Sequence, residues 1–252
     1  MIERPFALAP FCSGRALVGG HNRSPNQLLA SLPLADFELL RPHLRLADLK
    51  HKAVLATTGE PLGNAYFPHS GIISLVVRLL DGKTIEAAMI GRDSVFGASA
   101  ALNGALALND AIVPLSGTAS TLGVAQLRKA AENSKSIRAT MFRHEQAILA
   151  QALQSAACNA SHTVESRLSR WLLRARVLSG SDNLALTQEF LAQMLAVERS
   201  SVSLVASTLQ HAGLIRYRRG HIEIIDMDGL RDSSCECYSS TKAHYDALTS
   251  GH

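Results

Sequence analysis

The segment from Leu186 to Ile225, LTQEFLAQMLAVERSSVSLVASTLQHAGLIRYRRGHIEII, admits few folds. Phe190, Leu191, Met194 and Leu195 recur at helical spacing behind Thr187, whose hydroxyl suits an N-cap because it can accept a bond from a free amide of the first turn. After Ala196 and Val197 a second helix is predicted from near Arg199, with Val202, Val205, Ala206 and Leu209 as its apolar face and Gly213 as its end. Small residues at Ala192 and Ala196 let the two helices approach closely. Leu214 to Arg219 and His221 to Ile225 then alternate as two strands about Arg219-Gly220.

This order of parts is the layout of a winged helix-turn-helix. Arg199, Ser200, Ser203 and Ser207 fall on the face of the second helix opposite its core, and their side chains, mostly short, let such a helix lie deep in a major groove. An arginine at its N-terminal end can donate two bonds to a guanine edge. We therefore expect base contacts from Arg199, Ser200 and Ser203. Arg216, Arg218, Arg219 and His221 crowd the hairpin, where phosphates are the natural partners. Taken singly, an amphipathic helix pair is a packed hairpin and RYRR a solvated face; the succession is what points to double-stranded DNA.

The whole segment closely resembles the DNA-binding domain of the Crp/Fnr family of bacterial transcription regulators. The resemblance implies Thr187 as a helix cap and phosphate contact, Arg199 as the base-reading arginine and Ser201 as a second phosphate contact. Two positions depart from the best-known members, Ser200 replacing an acidic residue and Leu204 replacing a second arginine. The operator sequence therefore does not carry over, whereas the docking mode does.

Upstream, helices are expected at Asn26 to Leu32 and Leu34 to Leu40, and Gly71 to Val77 and Lys83 to Ile90 flank Asp81-Gly82, a hairpin signal. Further strands at Ala111 to Val113 and Gly117 to Leu122 argue for a compact β-roll. FPHSGIISLVV and DGKTIEAAMIGRDSVFG resemble the cyclic-nucleotide-binding-like sensor of the same family, so the likeness covers nearly the entire chain. The expected fold is α+β. It comprises an arm (1–25), a β-roll (26–134), a dimerisation helix with a hinge at Asn159-Ala160-Ser161 (135–161), a winged helix-turn-helix (162–238) and a flexible tail (239–252).

Burying a cyclic nucleotide phosphate requires a buried cation and donors. Nucleotide-binding relatives supply an arginine-serine pair soon after a glycine-glutamate. Here Gly97 is followed by Ala98, and from Asp93 through Leu127 there is no Arg, Lys or His. The sensor is expected not to take cyclic nucleotides, and Ala98 to Leu108 to be filled core.

Between the domains, Lys135 to Ala157 and Thr163 to Leu178 read as helices. On the first, Ile137, Met141, His144, Ile148, Ala152 and Ser155 follow four-three spacing, with Phe142, Leu149, Leu153 and Ala156 as a neighbouring stripe. One stripe covers its own roll and the other meets a partner; the first is assigned to a homodimer interface.

Composition excludes other classes. The 252 residues, 47% of them hydrophobic, suffice for two modest domains, but no apolar run approaches the roughly 18 residues that span a bilayer. MIERPFALAPFCSGR lacks the apolar core of a secretory signal, so a cytoplasmic location with no membrane partner is expected. A net charge of +4 is a weak pointer to nucleic acid. Cys12, Cys158, Cys235 and Cys237 fit no two-pair zinc pattern, Cys235-Glu236-Cys237 reads as an exposed tail, and no metal or cofactor is expected. Asp93 to Leu127 offers no His, Cys or Lys to activate a nucleophile, which argues against an enzyme. The expected function is a DNA-binding regulator acting as a homodimer on an inverted repeat, its effector unidentified. The alternative is a constitutive DNA binder whose roll is structural or contacts RNA polymerase.

Overall fold

A computed structural model describes residues 24–249 apart from Asn103 and Ala105, so the expected arm lies almost wholly outside the described residues. Two short helices, α1 (Gln27–Ser31) and α2 (Leu34–Leu40), open the described chain. Asn26 caps α1 by accepting from the Leu29 amide at 3.0 Å. Its Nδ2, fully buried, donates to the carbonyls of Pro68 and Ser94 at 2.9 Å, tying the helix to the roll.

The roll holds β1 (Arg45–Leu49), β2 (Val54–Ala56), β3 (Asn64–Pro68), β4 (Ile72–Arg78), β5 (Thr84–Ile90), β6 (Asp110–Leu115) and β7 (Gly117–Gly123), with α3 (Ala98–Leu102) between β5 and β6. Two antiparallel sheets form, one ordered β1-β7-β3 and the other β2-β6-β4-β5. The β4–β5 pairing confirms the Asp81-Gly82 hairpin, with Gly82 at φ +85°. At Gly117 the chain passes so close to Ser70 that a Cβ would lie 2.2 Å from its carbonyl oxygen, so only glycine fits. β1 to β3 had no sequence signal; they are short, and β1 exposes most of its residues, which removes the apolar alternation.

Helices α4 (Val124–Asn133) and α5 (Lys135–Ser161) follow, α5 capped by Ser134, whose Oγ accepts from the Ile137 amide at 3.1 Å. α5 runs straight through the expected hinge, and the chain breaks helical geometry only at His162, φ −110° and ψ 154°. Then come α6 (Val164–Ser179), β8 (Asn183–Leu184), α7 (Gln188–Leu195), α8 (Arg199–His211), β9 (Ile215–Arg218), β10 (His221–Ile224), α9 (Met227–Asp232) and α10 (Cys237–Thr249). The expected flexible tail is instead mostly α10, packed along α5 with Tyr245 buried. Its small and polar residues had masked the pattern.

The stripe assigned to dimerisation is corrected too. Ile137, Met141, His144, Ile148 and Ser155 are buried within the protomer and Ala152 is half-buried, several of them in the roll's own core. Phe142, Leu149 and Leu153 are the exposed apolar side chains of α5. Spacing shows which residues share a face, not which face the rest of the chain covers.

Two apolar cores result. The first fills the roll and takes in α1, α2, α4 and the first half of α5. The second is centred on Trp171, Leu172, Leu191, Leu195, Val202 and Leu209, and it extends onto Ile72, Val76, Met89 and Leu115 of the roll.

Candidate nucleic-acid interface

Thr187 caps α7, its Oγ1 accepting from the Phe190 amide at 3.1 Å. α7 ends at Ala196, which sits in the left-handed region at φ 52°, ψ 48°, a conformation costing on the order of 1–3 kcal/mol for a residue with a Cβ. That reversal places α8 across α7 with Val202, Ala206 and Leu209 facing inward. Arg199, Ser200, Leu204, Ser207 and His211 face outward, Leu204 with 71% of its surface exposed. Ser201 is half-buried. Ser203 is also half-buried, and its hydroxyl donates to Gln188 Oε1 at 2.6 Å, so it holds α8 against the start of α7 rather than pointing freely outward.

The wing is an antiparallel β9–β10 pair closed by Arg218 opposite His221, with β8 added on the far side of β10. Arg219 (φ 49°) and Gly220 (φ 81°) both take positive φ, as a type I′ turn demands. A Cβ on Gly220 would meet the Thr187 methyl at 3.6 Å, so the wing tip and the α7 N-terminus form one surface. Arg216 is paired with Glu223 at 2.6 Å, which leaves Arg218, Arg219 and Arg199 as the exposed cations. Among the described residues none of these three forms an ion pair.

Inside the roll, Ala98, Ala100, Ala101 and Ala107 are buried core, but Leu106 and Leu108 are exposed, so the filled core expected over Ala98 to Leu108 holds only for part of that stretch. Of the amides that open α3, Ser99 N donates to Glu145 Oε1 at 3.2 Å, and ahead of the helix Val95 N donates to His144 Nε2 at 3.2 Å. Arg128, the cation next along the chain, donates instead to the carbonyls of Ala100 and Ala101. A carboxylate thus occupies the Ser99 amide.

Roll and reader are joined by polar contacts as well. Arg174 pairs with Asp93 at 3.0 Å, its guanidinium lying 5.4 Å from the Tyr245 ring centroid. Buried Glu86 accepts from Trp171 Nε1 and from the Ser74 hydroxyl, and burial pushes its carboxyl up to about 7. Cys158, His162, Cys235 and Cys237 converge at the base of the reader. The last two are buried, against the expectation of an exposed tail; α10 folds them inward.

The described chain is a β-roll joined by a long helix to a winged helix-turn-helix. Residues 166–233 match the Crp-like helix-turn-helix domain. FixK2 from Bradyrhizobium japonicum is 18% identical, with a TM-score of 0.65 over 76% of this chain and 98% of its own. The c-di-GMP responsive global regulator CLP of Xanthomonas campestris is 15% identical, TM-score 0.61, covering 76% of this chain and 99% of its own. A CRP-family transcriptional regulator from Thermus thermophilus is 20% identical, TM-score 0.60, covering 75% of this chain and 96% of its own. No curated protein matches the chain by sequence. The chain carries a Crp-like helix-turn-helix domain and has the fold of the Crp/Fnr transcription regulators. Among its described residues no helix is long and apolar enough to cross a membrane.

Proposed function

We propose that the protein is a sequence-specific transcription regulator that binds an inverted-repeat DNA operator as a homodimer. The observations that carry this reading are the contacts that bring α8 to the start of α7 (Ser203 to Gln188) and Gly220 of the wing tip to Thr187, with Arg199, Ser200, Arg218 and Arg219 exposed. In it α8 enters the major groove, Arg199 reads a guanine, and Ser200, with Ser203 at its margin, faces neighbouring base edges. Thr187, Ser201, Arg218, Arg219 and His221 meet phosphates, and Arg216 joins them when Glu223 yields. Leu204 offers an apolar contact for a thymine methyl at the position where an arginine was missing.

The partner protomer meets α5 through Phe142, Gln146, Leu149, Leu153, Ala156 and Ala160, all exposed and in unbroken four-three spacing. A two-fold axis along that seam would put two α8 helices in successive major grooves. Selection of binding sites from random duplexes by the full-length protein tests the proposal. The expected product is an inverted repeat with half-site centres about 34–36 Å apart; enrichment of no sequence would overturn it. The filled roll interior supports a second reading, a constitutive binder whose roll is a structural platform or contacts RNA polymerase.

A further inference from the structure

Cys158 and His162 stand one helical turn apart at the C-terminal end of α5, and Cys235 and Cys237 alternate just ahead of and at the start of α10. Their Sγ atoms and an imidazole nitrogen all lie within 4.8 Å of one another. Cys158 Sγ is 3.5 Å from Cys235 Sγ, and Cys237 Sγ is 3.5 Å from His162 Nδ1. Four ligands at the usual zinc–sulfur distance of about 2.3 Å form a tetrahedron with edges of about 3.8 Å, which matches this spacing. In an iron–sulfur cluster the four ligands are divided among two or four irons, so not all of them stand this close together.

The surroundings are built for such a centre. Glu236 Oε1 lies 3.2 Å from His162 Nε2, fixing the ring so that Nδ1 faces the sulfurs, the usual carboxylate–histidine support of a metal ligand. Gln154 Nε2 donates to Cys237 Sγ at 3.0 Å, a bond that favours a thiolate. Three thiolates and a neutral imidazole around a divalent ion leave one negative charge, and the buried Arg167 and Arg170 guanidinium groups act on Cys158 from beside it. The Nε atoms of both arginines lack a hydrogen-bond partner. Cys158, Cys235 and Cys237 are all buried beside one another.

We propose that Cys158, His162, Cys235 and Cys237 bind one zinc ion per protomer in a closed tetrahedral Cys3His site. Loading transfers three thiol protons to solvent and stitches the end of α5, the break at His162 and the α9–α10 junction together. Arg167, which also donates to the Leu195 carbonyl at the end of α7, links that stitch to the helix-turn-helix.

The test uses full-length reduced protein. Elemental analysis after purification should give one zinc per chain. Chelator-stripped protein titrated with cobalt(II) should develop the intense visible bands of tetrahedral cobalt and a sulfur-to-metal charge-transfer band, saturating at one equivalent and reversed by zinc. Cys12→Ser should leave the titration unchanged, whereas Cys235→Ser should abolish or blue-shift the bands. Should the serine variant fail to fold, alkylation of the wild type decides, since zinc should shield three of its four cysteines. Folded wild type that takes up no cobalt, bands unchanged in position and intensity in Cys235→Ser, or stoichiometric iron with acid-labile sulfide would each overturn the proposal.

Discussion

The indole Nε1 of Trp171 donates a 2.8 Å hydrogen bond to Glu86 Oε1, joining the reader's helix α6 to strand β5 of the roll. The other groups facing this carboxyl are the Ser74 hydroxyl and the Arg170 guanidinium, and neither offsets its burial. With its carboxyl raised from 4.5 to about 7, Glu86 keeps its proton in the folded state between those pH values, where the unfolded chain loses it. Stability from this group is thus fully present below pH 4.5, falls as pH rises towards 7 and is flat above, by about 3 kcal/mol in all. Glu86→Gln should remove that slope. Urea unfolding of both proteins between pH 5 and 8 measures the difference, and parallel curves would refute the assignment.

Arg199 and Arg218 should fail differently. Arg199→Ala should cost roughly 1–3 kcal/mol at the preferred operator and flatten discrimination among sites. Arg218→Ala should weaken all sites alike and reduce the salt slope by about one. Competition gel shifts at several salt concentrations separate the two patterns.

Leu149 and Leu153 are 60% and 64% exposed, so aspartate at both positions disturbs no core of the protomer. The double variant should sediment as a monomer and lose roughly a hundredfold or more in operator affinity, because the second half-site no longer binds as part of one molecule. A dimer with normal affinity would place the seam elsewhere. Aspartate at Ile148 would instead disrupt the roll's core.

Cyclic AMP and cyclic GMP should give no saturable heat in titration calorimetry at near-millimolar nucleotide. The Glu145 carboxylate already accepts from the Ser99 amide and would repel an anion brought to it. Micromolar binding would contradict this, and binding gained only in Glu145→Ala would locate the block.

What the sequence disclosed follows from how local each signal is. Thr187, Gly213 and Arg219-Gly220 punctuate the reader within single turns, and the structure places each where its chemistry requires. The Asp81-Gly82 hairpin was legible for the same reason. α5 carries apolar residues on two faces, and only the folded roll reveals that Ile137 and Met141 are covered and Leu149 is not. The four candidate ligands lie on two segments far apart in the chain. Cys158 and His162 one turn apart, with Cys235 and Cys237 two residues apart, were the available signal, but nothing local joins the pairs.

Ile72, Val76, Met89 and Leu115 of the roll complete the apolar cluster around Trp171 and Leu172. The reader is therefore not a detachable cartridge. A fragment beginning at Thr163 would lose the wall against which α6 is seated, and grafting it onto an unrelated sensor would require a matching apolar sheet face as well as a linker. Heat should melt both halves in one cooperative transition.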